Sequence, residues 1–192
     1  MAKFKECLED VLRFTDREPG ETASRAASVF GGFPEIAQTD SAALSKWFSD
    51  GDAMMLKVLA ALSARRITDS FRFGREYTEE ELFVYLCALY SDRSNETVYL
   101  VSVDDKNRIV ACDFVTEGTV NSTGVLPRQI IEIMIARDVR RAIIVHNHPN
   151  GVATPSAEDV NTTERLAEAF AGANKELIAH YIVAGKNVRM VE

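Results

Sequence analysis

Apolar and polar residues alternate with helical spacing in the first part of the chain. The alternation is visible from Phe4 to Phe14 and from Thr22 to Phe30, and the segment from Ala53 to Arg66 is rich in Ala, Leu and Met, which favour helices. Breaks that contain glycine separate these runs, at residues 19–20, 31–34 and 49–51. The pattern predicts a small bundle of helices over residues 1–70.

A different pattern begins near residue 70. Residues 68–75 are mostly polar, and Thr78 follows them. Thr78 can cap a helix that runs to about residue 88, because Glu81 stands three residues later and completes a capping box. We therefore place a domain boundary near residue 70, so that residues 71–192 form a second domain.

Strand-like residues follow this helix. Thr97 to Val103 is rich in β-branched and aromatic residues, which predicts a strand. Residues 104–107 have the composition of a turn, and Arg108 to Thr116 completes a hairpin. Residues 118–124 are predicted to form a loop.

Helices and strands alternate in the rest of the chain. A helix is predicted from Pro127 to about Arg137, with proline at a permitted first position, and a short buried strand from Ala142 to Val145. A second helix is predicted from about Ser156 to Ala171, and Leu177–Val183 with Val188–Val191 predicts a closing hairpin. The fold class is a mixed α/β domain with the order β-β-α-β-α-β-β.

Two of the three histidines of the chain lie directly after the predicted buried strand. Side chains alternate in extended backbone, so His146 and His148 project from the same side and can bind one ion. Pro149 and Gly151 turn the chain, and Asp159 on the next helix can supply an oxygen ligand. These residues predict a site for Zn²⁺.

The number of ligands bears on the chemistry of this site. Three protein ligands leave the fourth position of a tetrahedral Zn²⁺ ion for water, as in catalytic sites, where the pKa of the water falls towards ~7. A carboxylate that is not a ligand should then move a proton, and a hydroxyl should stabilise the oxyanion. Glu96 and Ser156 are the candidates for these two roles.

Each candidate also has a purely structural explanation. Ser156 and Asp159 fit a capping box, and a His-x-His pair can serve packing and hydrogen bonding alone. A Glu at the start of a strand is usually a solvated end residue, and Glu117 and Glu132 are alternatives to Glu96. The joint pattern of two histidines, a turn, a serine and an aspartate favours the metal site.

Composition and charge narrow the class of protein. With 46% hydrophobic and 27% charged residues the chain is of ordinary globular type, and no stretch approaches the ~18 apolar residues of a membrane span. The net charge of −7 gives no overall attraction to nucleic acid. The three cysteines are an odd number, which argues for a reducing compartment, and the N-terminus lacks an apolar signal sequence. We expect a cytoplasmic protein that does not bind membranes.

The spacing of the candidate ligands resembles a known motif. His146-x-His148-Pro149 is followed by Ser156-x-x-Asp159, with seven residues between His148 and Ser156. This pattern is similar to the JAMM (MPN-plus) metalloprotease motif.

Longer segments resemble the RadC family. Residues 146–151 and 154–156 look like the HNHPSG and TPS segments of RadC proteins. Glu96, the strand and turn at 101–107, and the loop at 118–121 resemble the upstream part of the same family. The resemblance covers roughly residues 90–192 and aligns Glu96 with the catalytic glutamate of JAMM proteins.

The resemblance implies a fold, a cofactor and a reaction. The fold would be an MPN-type α/β sandwich, related in layout to cytidine deaminases and preceded by a small all-helical domain. Zn²⁺ would be held by His146, His148 and Asp159, with Glu96 as general acid/base and Ser156 as oxyanion partner. JAMM relatives cleave peptide or isopeptide bonds, so the implied substrate is a peptide or protein. A deaminase is less favoured because the H-x-E and P-C-x-x-C elements are missing.

The chain departs from the RadC pattern at two places. RadC proteins usually carry an Asp-His pair where Ala179 precedes His180 here, which leaves open what supports the ligands at that point. They also usually carry a helix-hairpin-helix that can hold DNA phosphates, and Asp50-Gly51-Asp52 occupies that place here. Two carboxylates repel phosphate, so the N-terminal domain is predicted to be a degenerate helix-hairpin-helix, and DNA binding is implied by resemblance but opposed by charge.

Three hypotheses about function follow from these patterns. The first is a RadC-like zinc-dependent peptidase or isopeptidase. The second is a non-catalytic DNA-repair or mobile-element accessory protein that binds nucleic acid or protein partners through a metal-stabilised domain. The third is a metal-stabilised scaffold without turnover.

Overall fold

Helices make up the first part of the chain in the computed structural model, which describes residues 2–118 and 125–192. Their bounds are α1 Ala2–Leu12, α2 Pro19–Ala27, α3 Phe33–Gln38, α4 Ser41–Leu44 and α5 Asp50–Ser70. Helices α1, α2 and α5 correspond to the predicted helical runs, whereas the sequence pattern does not predict the short α3 and α4. The division of the chain into two domains near residue 70 stays a prediction.

A single apolar core holds these helices together. Each of the five helices contributes at least one buried side chain to it, and the core members are Leu8, Leu12, Ala23, Ala26, Phe30, Ile36, Leu44, Phe48, Ala53 and Leu56. Helix α5 begins at the predicted break, where the hydroxyl of Ser49 accepts a hydrogen bond from the N–H of Asp52 at 3.2 Å. This bond is an N-cap, which fixes the start of α5.

Helix α6, Glu79–Leu89, has the predicted capping box. The hydroxyl of Thr78 accepts from the N–H of Glu81 at 3.2 Å, and the carboxylate of Glu81 accepts from the N–H of Thr78 at 3.1 Å. A two-residue strand, β1 Arg75–Glu76, precedes this helix. The sequence pattern does not predict β1, which lies in the polar stretch before Thr78.

The remaining strands form one sheet with β1. Their bounds are β2 Thr97–Val103, β3 Arg108–Glu117, β4 Arg141–Asn147, β5 Glu176–Ala184 and β6 Asn187–Met190. The six-stranded sheet has the order β1-β3-β2-β4-β5-β6. Strands β4 and β5 pair in parallel, and the other neighbours pair antiparallel. The result is a mixed sheet.

Helices α7, Val125–Ala136, and α8, Ala157–Gly172, connect the later strands. The predicted order β-β-α-β-α-β-β is confirmed, with β1 as an addition. Of the loop predicted over 118–124, only Gly118 belongs to the described residues. A mixed sheet with helices agrees with the MPN-type domain that the resemblance implies, while the likeness to cytidine deaminases in layout stays a prediction. Within the described residues, no helix has both the length and the apolar character to cross a bilayer.

The sheet carries helices on both faces because side chains alternate along its buried central strands. Leu100 of β2 and Ile144 of β4 belong to the core that includes residues of α7 and α8. Tyr99 and Val145 belong to the core on the opposite face, with residues of α6. His146 stands two residues after Ile144, so the same alternation turns its side chain towards α8.

Candidate metal centre

The candidate site lies where β4 ends and the chain turns towards α8. His146 pairs in register with Val98 of β2, and the N–H of His148 donates to the carbonyl of Val183 at 2.9 Å. The chain then turns at Gly151, which has a φ of +79°, a left-handed conformation that favours glycine. Both histidines are therefore held by sheet-type bonding on one side of the turn.

The two imidazoles face each other through their Nε2 atoms. The Nε2 atoms of His146 and His148 are 3.1 Å apart, and His146 is buried. The Nδ1 of His148 is 2.8 Å from the carbonyl oxygen of Val152. A carbonyl only accepts, so this Nδ1 carries a proton, and Nε2 is the nitrogen of His148 that is left to bind an ion.

Asp159 faces both imidazoles from the first turn of α8. One of its carboxylate oxygens, Oδ1, lies 3.1 Å from the Nε2 of His146, and the other, Oδ2, lies 3.5 Å from the Nε2 of His148. A tetrahedral zinc ion bound at about 2.0–2.1 Å holds its ligand atoms about 3.3 Å apart. The spacing of these donor atoms fits such an ion.

Ser156 ties the carboxylate of Asp159 to the start of α8. The predicted capping box is present: the Ser156 hydroxyl accepts from the N–H of Asp159 at 3.1 Å, while the hydroxyl and the N–H of Ser156 both donate to Asp159 Oδ2 at 2.7 Å. The second member of the capping box and the candidate ligand are thus the same side chain, Asp159, so its two explanations are compatible.

The pKa of Asp159 reflects this set of hydrogen bonds. Burial on its own raises the pKa of the carboxyl, but the hydrogen bonds from the His146 imidazole and from the hydroxyl and N–H of Ser156 outweigh it. Together they hold the pKa of Asp159 well below its usual range. The group is a carboxylate at neutral pH, as a metal ligand must be.

Glu96 lies at the edge of the site, one residue before β2. Its Oε1 is 3.9 Å from the Nε2 of His148, and its side chain is about one-third exposed. Glu96, His146 and His148 form a group whose donor atoms lie within 4.8 Å of one another and could hold a metal ion. Asp159 is closer than Glu96 to the imidazoles, so Glu96 is the better placed of the two for a role beside the metal.

The other two glutamates considered for the acid–base role have different partners. Glu117 accepts a hydrogen bond from the side-chain amide of Asn95 at 2.9 Å. Glu132 accepts from the guanidinium of Arg128 at 2.9 Å on the exposed surface of α7. Neither belongs to the group of possible metal-binding residues among the described parts of the chain.

Asn147 positions Glu96, and the sequence patterns do not single it out. Its side chain is buried, with Oδ1 accepting from the N–H of Thr97 at 2.8 Å and Nδ2 donating to the carbonyl of Asn95 at 3.2 Å. These two bonds hold the backbone on either side of Glu96 against the end of β4. The sequence feature that could have indicated this role is a polar residue between two histidines after a buried strand.

His180 supports the site from behind. It is buried, and its Nε2 lies 2.8 Å from the Nδ1 of His146. Burial is the main cause that lowers the pKa of His180 to about 3, so its imidazole is neutral at neutral pH. Ala179, where the chain departs from the RadC pattern, belongs to the core on the other face of the sheet, and His180 alone of this pair contacts a candidate ligand.

A small cleft opens beside these residues. Its volume is about 90 Å³, and it includes Glu96, Ser156 and Glu158 among its polar lining. Apolar side chains line the rest of it, namely Val98, Leu126, Ile144 and Leu166. Two of the candidate ligands, His146 and Asp159, thus border a cavity with a mixed polar and apolar lining.

Comparison with known proteins gives one family and a set of relatives. A model of the RadC-like JAB domain matches residues 77–191. A UPF0758 protein of Azotobacter vinelandii is 32% identical over 176 residues, which are 90% of this chain and 79% of the relative. One of Photobacterium profundum is 29% identical over 166 residues, 85% and 74% of the two chains. One of Herminiimonas arsenicoxydans is 36% identical over 134 residues, 69% and 60% of the two chains. The name UPF0758 states no activity.

Proposed function

The chain belongs to the RadC family of JAB-domain proteins, and from this premise we propose that it is a zinc-dependent hydrolase of the JAMM type. Its substrate is an amide bond in a peptide or protein. The RadC-like JAB domain, which points to a family of metal-dependent hydrolases, supports the reaction class. The identity of the ion rests on the mixed nitrogen and oxygen donor set.

One observation carries the proposal. The Nε2 atoms of His146 and His148 lie 3.1 Å apart, and the carboxylate of Asp159 is within 3.5 Å of both. The Nδ1 of His148 donates to a backbone carbonyl, so Nε2 is the nitrogen of His148 that is left to bind an ion. Two imidazole nitrogens and a carboxylate that converge in this way form a donor set of the kind that binds Zn²⁺.

The ion and the side chains have separate tasks. Bound to His146, His148 and Asp159, Zn²⁺ would supply Lewis-acid chemistry and make an attacking water more acidic. Glu96 accepts the proton of that water at its carboxylate and delivers it to the leaving nitrogen. Its partial exposure and its place beside His148 suit this role, because its Oε1 lies 3.9 Å from the Nε2 of His148, beyond hydrogen-bond distance.

Ser156 is the proposed oxyanion partner. Its hydroxyl donates to Asp159 Oδ2, and the N–H of Ser156 donates to the same oxygen. The hydroxyl can rotate to the substrate oxygen while the N–H keeps that carboxylate oxygen bonded. A hydrogen bond made only as charge develops stabilises the transition state rather than the bound substrate.

The proposed partner is a peptide or protein, and the proposed compartment is the cytoplasm, where the three free thiols stay reduced. DNA binding is not part of the proposal. Helix α5 begins with Asp50 and Asp52 in its first turn, and carboxylates at a helix N-terminus occupy the place where a phosphate would bind.

Cleavage of a peptide library, read by mass spectrometry, tests the proposal. The zinc-loaded wild type should cleave peptides, and Glu96→Gln should lower the rate by at least about 100-fold, the usual contribution of a general acid/base. Glu132→Gln is the matched control, because it makes the same change on the surface of α7 and should leave the rate unchanged.

Other outcomes would contradict the hydrolase. If zinc raises the melting temperature and no peptide is cleaved, the domain is a metal-stabilised scaffold. If the protein binds duplex DNA in a salt-dependent manner that Glu96→Gln does not change, and does not cleave peptides, it is an accessory protein of the DNA-binding kind. Cleavage that survives Glu96→Gln would remove Glu96 from the mechanism.

A further inference from the structure

Three side chains form a continuous hydrogen-bonded row behind the candidate site. The Nδ1 of His146 is 2.8 Å from the Nε2 of His180, and the Nδ1 of His180 is 2.6 Å from the hydroxyl oxygen of Thr163. The same hydroxyl lies 2.7 Å from the carbonyl oxygen of Asp159. The row therefore begins at one candidate ligand and ends on the backbone of another.

The fold brings these residues together from three elements. Strands β4 and β5 pair in parallel, with Ile144 opposite His180, so His180 lies beside the strand that carries His146. Thr163 is one turn after Asp159 on α8. His146 and His180 are buried and Thr163 is half-buried, so the two imidazoles are shielded from bulk water and the Thr163 end of the row is less so.

With a metal at the Nε2 of His146, only one arrangement of protons satisfies the row. Neutral His146 then carries its proton on Nδ1 and donates to the Nε2 of His180. His180 consequently carries its own proton on Nδ1 and donates to Thr163. The hydroxyl of Thr163 donates in turn to the carbonyl of Asp159, so each polar atom has a partner.

Without a metal, the opposite arrangement also satisfies every atom. The Nε2 of His146 carries the proton and donates to Asp159 Oδ1, which is 3.1 Å away. The Nδ1 of His146 then accepts from His180, and the Nδ1 of His180 accepts from the hydroxyl of Thr163. On going to the metal-bound arrangement, His146 releases its Nε2 proton to solvent in the cleft, one proton passes from His180 to His146 and one from Thr163 to His180. The half-buried Thr163 hydroxyl takes up one proton from solvent in exchange, so the row holds three protons before and after.

We propose that His180 and Thr163 are positioning residues that form a reversible hydrogen-bond relay, which lets His146 exchange the proton on its Nε2 for a metal ion without leaving a buried polar group unpaired. The proposal rests on the metal site of the proposed function. An imidazole and a hydroxyl can both donate and accept, which reversal requires. His148, by contrast, is bonded to a carbonyl, which accepts only, so its proton stays on Nδ1.

Either fixed orientation of the row has a cost. The metal-bound orientation would place the bare Nε2 of His146 against the Asp159 carboxylate in the metal-free protein, and the metal-free orientation would place a proton where the ion binds. Reversal avoids this cost. Removing the last member of the row should therefore weaken the metal-bound arrangement, in which the Nδ1–H of His180 needs the Thr163 hydroxyl as its acceptor.

Nitrogen NMR of the ¹⁵N-labelled protein reads the relay directly, because the position of the imidazole proton determines the nitrogen shifts. The chain has three histidines, so three ring patterns are expected. In metal-free protein His146 and His180 should carry the proton on Nε2, and His148 on Nδ1. On addition of ZnCl₂, both His146 and His180 should change to Nδ1, and His148 should keep its proton there.

Zinc affinity, measured by competition with a chelator, provides the second readout. Thr163→Val should weaken zinc binding by about tenfold or more, as losses behind a metal ligand usually do, and Thr163→Ser should restore it. Thr39→Val is the matched control, because the Thr39 hydroxyl makes the same bond to the carbonyl four residues earlier, at 2.6 Å, far from the site in sequence. It should leave zinc affinity unchanged.

Failure of the relay and failure of the proposed function give different results. A metal-free spectrum with the His146 proton on Nδ1, a spectrum that zinc binding leaves unchanged, or equal zinc affinities for Thr163→Val and Thr39→Val would each overturn the relay while the hydrolase could stand. A protein that binds no zinc but shows the expected metal-free pattern would keep the row of bonds and overturn its metal-dependent reversal together with the proposed function.

Discussion

At the residue scale, the carboxylate of Asp159 takes part in two kinds of interaction at once. It caps α8 through Ser156, and it faces the imidazoles of His146 and His148. The cap fixes the position and orientation of the carboxylate before any metal binds. A ligand that is held in place beforehand loses little conformational entropy on binding, which favours metal affinity.

Asn147 provides a test at the same scale of how Glu96 is positioned. We expect Asn147→Ala to lower the rate of peptide cleavage by roughly ten- to a hundredfold, because the two bonds that hold the backbone around Glu96 are lost. Zinc content should not change, because Asn147 donates no ligand. Parallel assays of cleavage rate and bound zinc measure the two effects.

The exposed Asn187 of β6 supplies the control for this substitution. Asn187→Ala should leave both cleavage and zinc content as in the wild type. If Asn147→Ala releases the zinc, the residue supports the ligands rather than Glu96. If it changes neither quantity, the bonds to Asn95 and Thr97 do not position the acid–base group.

Spacing along the chain is enough to predict some site residues and not others. The alternation of extended backbone places His146 and His148 on one side, and the capping pattern places Ser156 against Asp159, because both relations are local. Glu96 entered the predicted site through family resemblance, since its approach depends on the pairing of β2 with β4. His180 follows only from the parallel register of β4 and β5, which no local pattern encodes.

At the scale of elements, two helices begin with the same capping motif but differ in the residues around it. Helices α6 and α8 both start with a capping box, formed by Thr78 with Glu81 and by Ser156 with Asp159. The box of α6 has no metal ligand in it. The box of α8 contains the carboxylate of the candidate site, so a change there should affect two properties instead of one.

This difference leads to a paired prediction. Thr78→Ala and Ser156→Ala should each lower the free energy of unfolding of the metal-free protein by about 1 kcal/mol, the usual value of a helix N-cap. Ser156→Ala should also weaken zinc binding, because Asp159 loses one of its hydrogen-bond donors, whereas Thr78→Ala should not. Chemical denaturation and chelator competition measure the two quantities, and equal effects of both variants on zinc binding would contradict the account.

The predicted elements differ from the observed ones in a consistent way. Long periodic runs such as α5 and paired strands such as β2 and β3 could be predicted because their patterns extend over many residues. The missing elements are short: α3 and α4 have six and four residues, and β1 has two. Strand β1 exists through its pairing with β3, where Arg75 lies opposite Ile109, and that contact is not local.

At the scale of the whole molecule, the helical N-terminal part contacts the hairpin that closes the sheet. Lys186, in the turn between β5 and β6, forms an ion pair with Glu35 of α3 at 3.3 Å. The carboxylate of Glu35 also accepts from the N–H of Gly31 at 2.5 Å. A Cβ at residue 31 would lie 2.1 Å from the Nζ of Lys186, so the absence of a side chain there allows this close approach.

The sheet then connects this contact to the site. Strand β5 leads from the β5–β6 turn to Val183, whose carbonyl binds the N–H of His148, and onward to His180 behind His146. The candidate ligands are thus held by strands in the middle of the sheet and by the start of one helix. Whether His146, His148 and Asp159 bind one ion depends on whether their three side chains meet at a single point.

The zinc content of purified variants, determined by elemental mass spectrometry, tests that convergence most directly. We expect about one Zn²⁺ per chain in the wild type and in Glu96→Gln, and none in His146→Ala, His148→Ala or Asp159→Ala, because an open site has three protein ligands. Zinc that persists in the three alanine variants, or zinc that is lost from Glu96→Gln alone, would contradict the assignment of His146, His148 and Asp159 as the ligands and Glu96 as the group beside them.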